Sequence, residues 1–129
     1  MHPSYFQILK RETGAPKRGL TLSAETSEWL FHIKFWDAIN RELKRNFGQY
    51  EDDILPSTDA LVVLAEIDKL RSTYLRDPTS SQTVIYGWTP GGKNLEFSVS
   101  GVELSKSIEE LRSFILEAIE QGSDVICQL

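Results

Sequence analysis

The chain has 129 residues, of which 40% are hydrophobic and 26% charged, so it has the composition and length of a globular protein with one core and not of a disordered chain. Its formal net charge of −5 argues against nonspecific nucleic-acid binding, which needs basic residues to neutralise phosphates. The single cysteine, Cys127, excludes an internal disulfide, and the absence of a long apolar run argues against a signal peptide or a membrane span. We therefore expect one cytoplasmic domain over residues 1–129.

The first 22 residues contain short elements. Residues 4–12 favour a helix capped by Ser4, although a strand fits them nearly as well. Glycines and a proline within residues 14–19 predict a turn, and Leu20 to Leu22 suit a brief strand.

A long helix is predicted over residues 24–47, with Ser23 as its N-cap and Gly48 just past its end. Its apolar stripe, at helical spacing, consists of Trp29, Ile33, Trp36, Ile39, Leu43 and Phe47. Phe31 and Phe35 fall on the other side. This predicts either a helix packed between two layers, which we favour, or two aromatics offered to a partner.

A second helix is predicted from Ser57 or Thr58 to about Arg76, and its wide apolar surface indicates a central position. Next, residues 83–89 and 94–100 have the composition and alternation of strands, and the intervening Pro90, Gly91 and Gly92 predict a hairpin.

A third long helix is predicted from a capping box at Ser107 and Glu110 to Gly122. Residues 125–129 then suit a strand that returns to the sheet. The element order predicts an α+β domain in which three main helices pack on a small antiparallel sheet, made of the hairpin 83–100 and the strand 125–129.

No catalytic or cofactor motif is present in the sequence. Glu28 and His32, at i and i+4, could hold a metal but lack further ligands, so a packed or boundary histidine is favoured. Cys127 alternates within an apolar strand and is expected to be buried and inert. The segment 89–94 lacks the spacing of a phosphate loop and predicts a hairpin turn. We expect no enzyme activity, metal or cofactor.

The acidic residues are grouped, in residues 51–68 and again in residues 96–124. Clustered negative charge steers a basic partner towards a protein, and an indole beside an exposed turn is a common interface anchor, although a core position suits Trp88 somewhat better. The residues predicted to bind a partner are Glu51, Asp52, Asp53, Asp59, Trp88, Glu103, Glu109 and Glu110.

In type, the chain resembles the small cytoplasmic immunity proteins of bacterial toxin/immunity systems, including those of contact-dependent growth inhibition. The resemblance lies in a single acidic α+β domain of this length and in the closing helix, glycine turn and strand of residues 107–129. It implies a protein that neutralises a basic, nuclease-like toxin by blocking its active-site groove. The alternatives are a secretion chaperone and, further off, a small metal-dependent hydrolase using Glu28 and His32.

Overall fold

Ten elements of secondary structure build the part of the chain that the computed structural model describes, residues 1–9 and 16–129. In chain order they are β1 (Ser4–Leu9), β2 (Pro16–Leu22), α1 (Ala24–His32), α2 (Phe35–Leu43), β3 (Asp52–Leu55), α3 (Ala60–Tyr74), β4 (Ser81–Trp88), β5 (Asn94–Ser100), α4 (Gly101–Gln121) and β6 (Val125–Gln128). They form a single α+β domain, as the sequence predicts.

The strands form two antiparallel sheets. One has four strands in the order β2-β1-β6-β3, and the other is the β4–β5 hairpin alone. The hairpin and the strand at residues 125–128 are confirmed, but the prediction that they share a sheet is wrong. β6 instead pairs with β1 and β3, placing Cys127 between Phe6 and Asp53 in the register.

The segment β1 shows why the helix prediction for residues 4–12 is wrong over residues 4–9. Ser4, Phe6 and Ile8 are buried, whereas Tyr5 is 45% exposed, so burial follows the two-residue period of a strand. Residues 10–12 of that prediction lie outside the described part of the chain, as do the first residues of the turn predicted over residues 14–19. From Pro16 onward that turn is replaced by β2.

The helix predicted over residues 24–47 is divided in two. Ser23 caps α1, accepting a hydrogen bond from the Thr26 backbone N–H, but Lys34 adopts a left-handed φ of 63° and breaks the helix. The break rotates α2, so Phe35 enters the core beside Trp36, with 3% and 2% of their surfaces exposed. Phe31 is partly buried against the same core, so packing within the chain accounts for both phenylalanines.

The two later helices lie where the sequence places them, with differences at their surfaces and ends. α3 buries one stripe but leaves Leu61 61% exposed, so the predicted central position is wrong. α4 begins at Gly101, capped by Ser100 and not by Ser107, because the Ser100 hydroxyl accepts from the Glu103 backbone N–H at 3.1 Å. Gly122, with a φ of 61°, ends it as predicted.

The core lies between the helices and one face of the four-stranded sheet. That face contributes Phe6, Ile8, Leu22, Leu55, Val125 and Cys127, all at most 1% exposed. The Phe6 ring packs within the core, and its centroid lies 6.3 Å from that of Trp36 and 6.4 Å from that of Phe114. On the opposite face of this sheet, Tyr5, Asp52 and Ile54 are exposed, and Gln7, Ile126 and Gln128 are partly buried.

Candidate protein-binding surface

The face of the four-stranded sheet that points away from the core carries several exposed side chains. We call it the open sheet face and define it by the side chains that alternate away from the core: Tyr5, Gln7, Asp52, Ile54, Ile126 and Gln128. Strand pairing arranges them in two cross-strand rows, Tyr5–Gln128–Asp52 and Gln7–Ile126–Ile54. Ile54 is 54% exposed, so the surface has apolar as well as polar character.

Two shallow depressions lie on or beside the open sheet face. One, of about 550 Å³, is lined by Gln7, Ile54, Ile126 and Gln128 together with the charged residues Arg45, Asp52 and Asp53. The other, of about 290 Å³, is bounded by Tyr5, Tyr50 and the acids at the start of β3. Depressions of this kind allow side chains of a partner to insert and pack closely against the surface.

The acidic triplet at residues 51–53 is divided by the strand period. Glu51 and Asp52 are exposed, and neither carboxylate has a hydrogen bond or an ion pair within the described residues. Asp53 belongs to the opposite side of β3, and one oxygen of its carboxylate is buried without a hydrogen-bond partner in that part of the chain. Asp53 also lines the larger depression, and its partner-binding role stays a prediction.

Asp53 lies opposite the buried thiol of Cys127 in the β3–β6 pairing. Burial, with the nearby Asp53 charge as a smaller cause, raises the pKa of Cys127 to about 12. The thiol stays protonated at neutral pH, which confirms the expectation that this cysteine is buried and indicates an inert group.

Asp59 is already engaged within the molecule. Its carboxylate accepts from Arg45 Nε at 3.0 Å and lies 2.8 Å from a second guanidinium nitrogen of the same side chain. This pairing offsets the charge of Asp59 and of Arg45 together. Glu51 and Asp52, in contrast, have no ion pair within the described residues.

The acids of α4 lie elsewhere. Glu109 pairs with Arg71 at 3.0 Å, and Glu109 and Glu110 line a depression with Arg18 and Lys106. Arg18 belongs to β2, the sheet edge farthest from β3, so these acids cannot join Glu51 and Asp52 in one patch. Glu103 is exposed at the start of α4 and has no ion pair among the described residues.

Trp88 is 69% exposed, so the favoured core position is wrong and the possibility of an interface anchor stays open. It lies at the far end of the hairpin, whose base is held by the buried Val84 and Val99. The predicted turn at residues 89–94 is confirmed: the Thr89 backbone N–H donates to Lys93 O at 2.8 Å, and Gly92 adopts a φ of 82°.

The candidate metal pair gains no further ligand. Glu28 accepts a hydrogen bond from the Gln49 amide, and His32 is exposed at the last turn of α1. Across residues 1–9 and 16–129, no group of three or more His, Cys, Asp or Glu side chains is placed to hold a metal ion.

Sequence reasoning does not select Tyr5 and Ile54 of the open sheet face, or Tyr50 beside it. Tyr5 falls within the helix predicted over residues 4–12, and Ile54 lies between two predicted helices. The alternation of Tyr5 and Gln7 with Phe6 and Ile8 is the signal that identifies the strand and its exposed side. No comparable pattern marks Tyr50, which lies in the turn before β3.

Comparisons with protein-family models, with curated proteins and with solved structures found no match for this chain. Within the described ranges, none of the helices combines the length and hydrophobicity that crossing a membrane requires.

Proposed function

We propose that this chain is a protein-binding domain of the immunity type, which neutralises a basic toxin by occupying its active-site groove through the open sheet face. The observation that carries the proposal is the combination of exposed apolar side chains on the open sheet face with the carboxylates of Asp52 on that face and Glu51 beside it, which form no ion pair within the described residues. The proposal places the chain in the cytoplasm and requires no catalysis and no cofactor.

The two components of the face have separate physical roles in such binding. Tyr5 and Ile54, exposed by 45% and 54%, offer area that leaves water when a partner docks. Glu51 and Asp52 attract a basic surface, raise the encounter rate and disfavour acidic partners. A nuclease-like toxin supplies the complementary charge, since its groove must hold phosphates.

The experiment is co-expression in a bacterial host with the product of the adjacent open reading frame. Expression of that product alone is expected to arrest growth, and co-expression of this chain is expected to restore it, with a complex that co-purifies in a one-to-one ratio. Continued growth arrest in the presence of folded chain, with no complex recovered, would contradict the proposal.

A secretion chaperone is the second candidate, and the exposed hairpin is the observation that favours it. Tyr86, Trp88 and Leu95 are 41%, 69% and 37% exposed, and a dimer could cover them. The molar mass of the free protein in solution distinguishes the two candidates. The immunity proposal does not require self-association, whereas a monomer by light scattering would count against the chaperone.

A further inference from the structure

The smaller depression beside the open sheet face has the lining of a site for a cation. It holds about 290 Å³ and is bounded by His2, Tyr5, Tyr50, Glu51, Asp52 and Gln128. Aromatic faces and carboxylates therefore meet in one concave place. Asp52 also lines the larger depression, where Arg45 and Asp53 lie beside it.

Two tyrosine rings supply the walls. Tyr5 projects from β1, and Tyr50 is 64% exposed with its ring centroid 4.3 Å from that of His2. The face of an aromatic ring attracts cations through its quadrupole, and arginine in addition stacks its planar guanidinium on such a ring.

The backbone at Tyr50 has a φ of 66°, in the left-handed region, as Lys34 and Lys44 also do at the ends of α2, so this conformation alone marks no site. Asparagine or glycine would adopt this turn at lower cost. The turn places the Tyr50 ring at the margin of the depression.

The charge at the site completes the match. Glu51 and Asp52 line the depression, and their carboxylates form no hydrogen bond or ion pair with any described residue. In the cross-strand row, Gln128 stands between Tyr5 and Asp52, so the amide lies between a ring and a carboxylate. A guanidinium stacked on a ring here could donate to the carboxylate and the amide together.

We propose that this depression receives one arginine side chain of the partner protein. This inference rests on the proposed function for the identity of the partner, but the site itself can be tested with a small molecule. Arginine is favoured over lysine because it can stack on a tyrosine ring and still present donors to carboxylate oxygens.

The test is a titration of the ¹⁵N-labelled chain with N-acetyl-arginine-N-methylamide, in which the backbone amide chemical shifts are measured at each ligand concentration. The matched control ligand is the blocked citrulline, which has nearly the same shape and no charge. We expect saturable shift changes at Tyr5, Tyr50 and Gln128, with a dissociation constant on the order of 10 mM, and much smaller changes with citrulline.

Two variants test the assignment to this site. Asp52→Asn and Tyr50→Asn should each weaken arginine binding at least about 3-fold, the latter without loss of folding because asparagine tolerates the left-handed turn. Glu103→Gln, at an exposed acid on α4, is the control and should leave the titration unchanged.

Equal shifts with arginine and citrulline, shifts located elsewhere, or undiminished binding by both variants would overturn the arginine site. Growth protection by the wild-type chain would still stand in that case. Conversely, arginine binding without growth protection would leave the site intact and refute the immunity function.

Discussion

Replacing Glu51 and Asp52 together by lysine is expected to weaken binding of the basic toxin about 100-fold or more and to abolish growth protection. The substitution replaces two negative charges at the open sheet face, which have no ion pair among the residues that the structure describes, by positive charges that would face a positive surface. Like-charge contact of this kind costs several kcal/mol in a complex, and about 2.7 kcal/mol corresponds to the expected 100-fold change. The association rate should fall most at low ionic strength.

The matched control is the double variant Glu103→Lys and Glu110→Lys, which makes the same change in net charge at exposed positions of α4. Because these positions lie apart from β3, we expect less than about a 5-fold effect on affinity. Isothermal titration calorimetry at two salt concentrations measures the affinity of each double variant for the toxin. Equal weakening by both would mean that total charge, and not the open sheet face, determines binding.

Gly101→Ala is expected to reduce the free energy of unfolding by about 3 kcal/mol or more. A β-carbon at this position would lie 2.7 Å from the carbonyl oxygen of Pro78 and still closer to that of Ser80. Both are backbone atoms, and the Gly101 N–H donates to the same Ser80 oxygen at 2.7 Å, so neither side can move without breaking the junction between hairpin and α4.

Gly91→Ala is the control for this prediction. Gly91 is exposed in the hairpin turn, and the nearest atom to an added β-carbon, Thr89 Oγ1, is 3.9 Å away. The free energy of unfolding of the Gly91→Ala variant should differ from that of the wild type by less than about 0.5 kcal/mol. Urea denaturation of the three proteins measures the difference, and equal stability of Gly101→Ala and wild type would show that the described close approach is wrong.

The parts of the fold that depend on local sequence could be predicted. The hairpin, the cap at Ser23 and the end of α4 at Gly122 each follow from a turn, a hydroxyl or a left-handed glycine at the expected position. The pairing of β6 with β1 and β3 could not, because it joins segments distant in sequence. β3 is only four residues long, too short for its alternation to be recognised beside Pro56.

The break between α1 and α2 was also outside the reach of pattern reasoning. No glycine or proline marks it, and Lys34 takes a left-handed conformation in a fold that buries both Phe35 and Trp36. Tertiary packing therefore overrides a continuous helical pattern at this point.

The partner-binding role of the acidic residues stays a prediction, and the structure shows only where their side chains lie. Glu51 and Asp52 were chosen because they stand in an acidic segment, and their exposure agrees with that choice. Asp53 and Asp59 were chosen on the same ground, but one is turned to the other side of β3 and the other is paired with Arg45. Charge along a sequence does not reveal strand facing or ion pairs, so grouping alone overstates an acidic surface.

The most direct test of binding through the open sheet face is amide hydrogen exchange of the chain, free and in the co-purified complex with the adjacent gene's product. We predict increased protection in β1, β3 and the turn at residues 48–51, with little change along α4 and in the hairpin. Protection confined to α4 or to the β4–β5 hairpin, with β1 and β3 unchanged, would contradict the account.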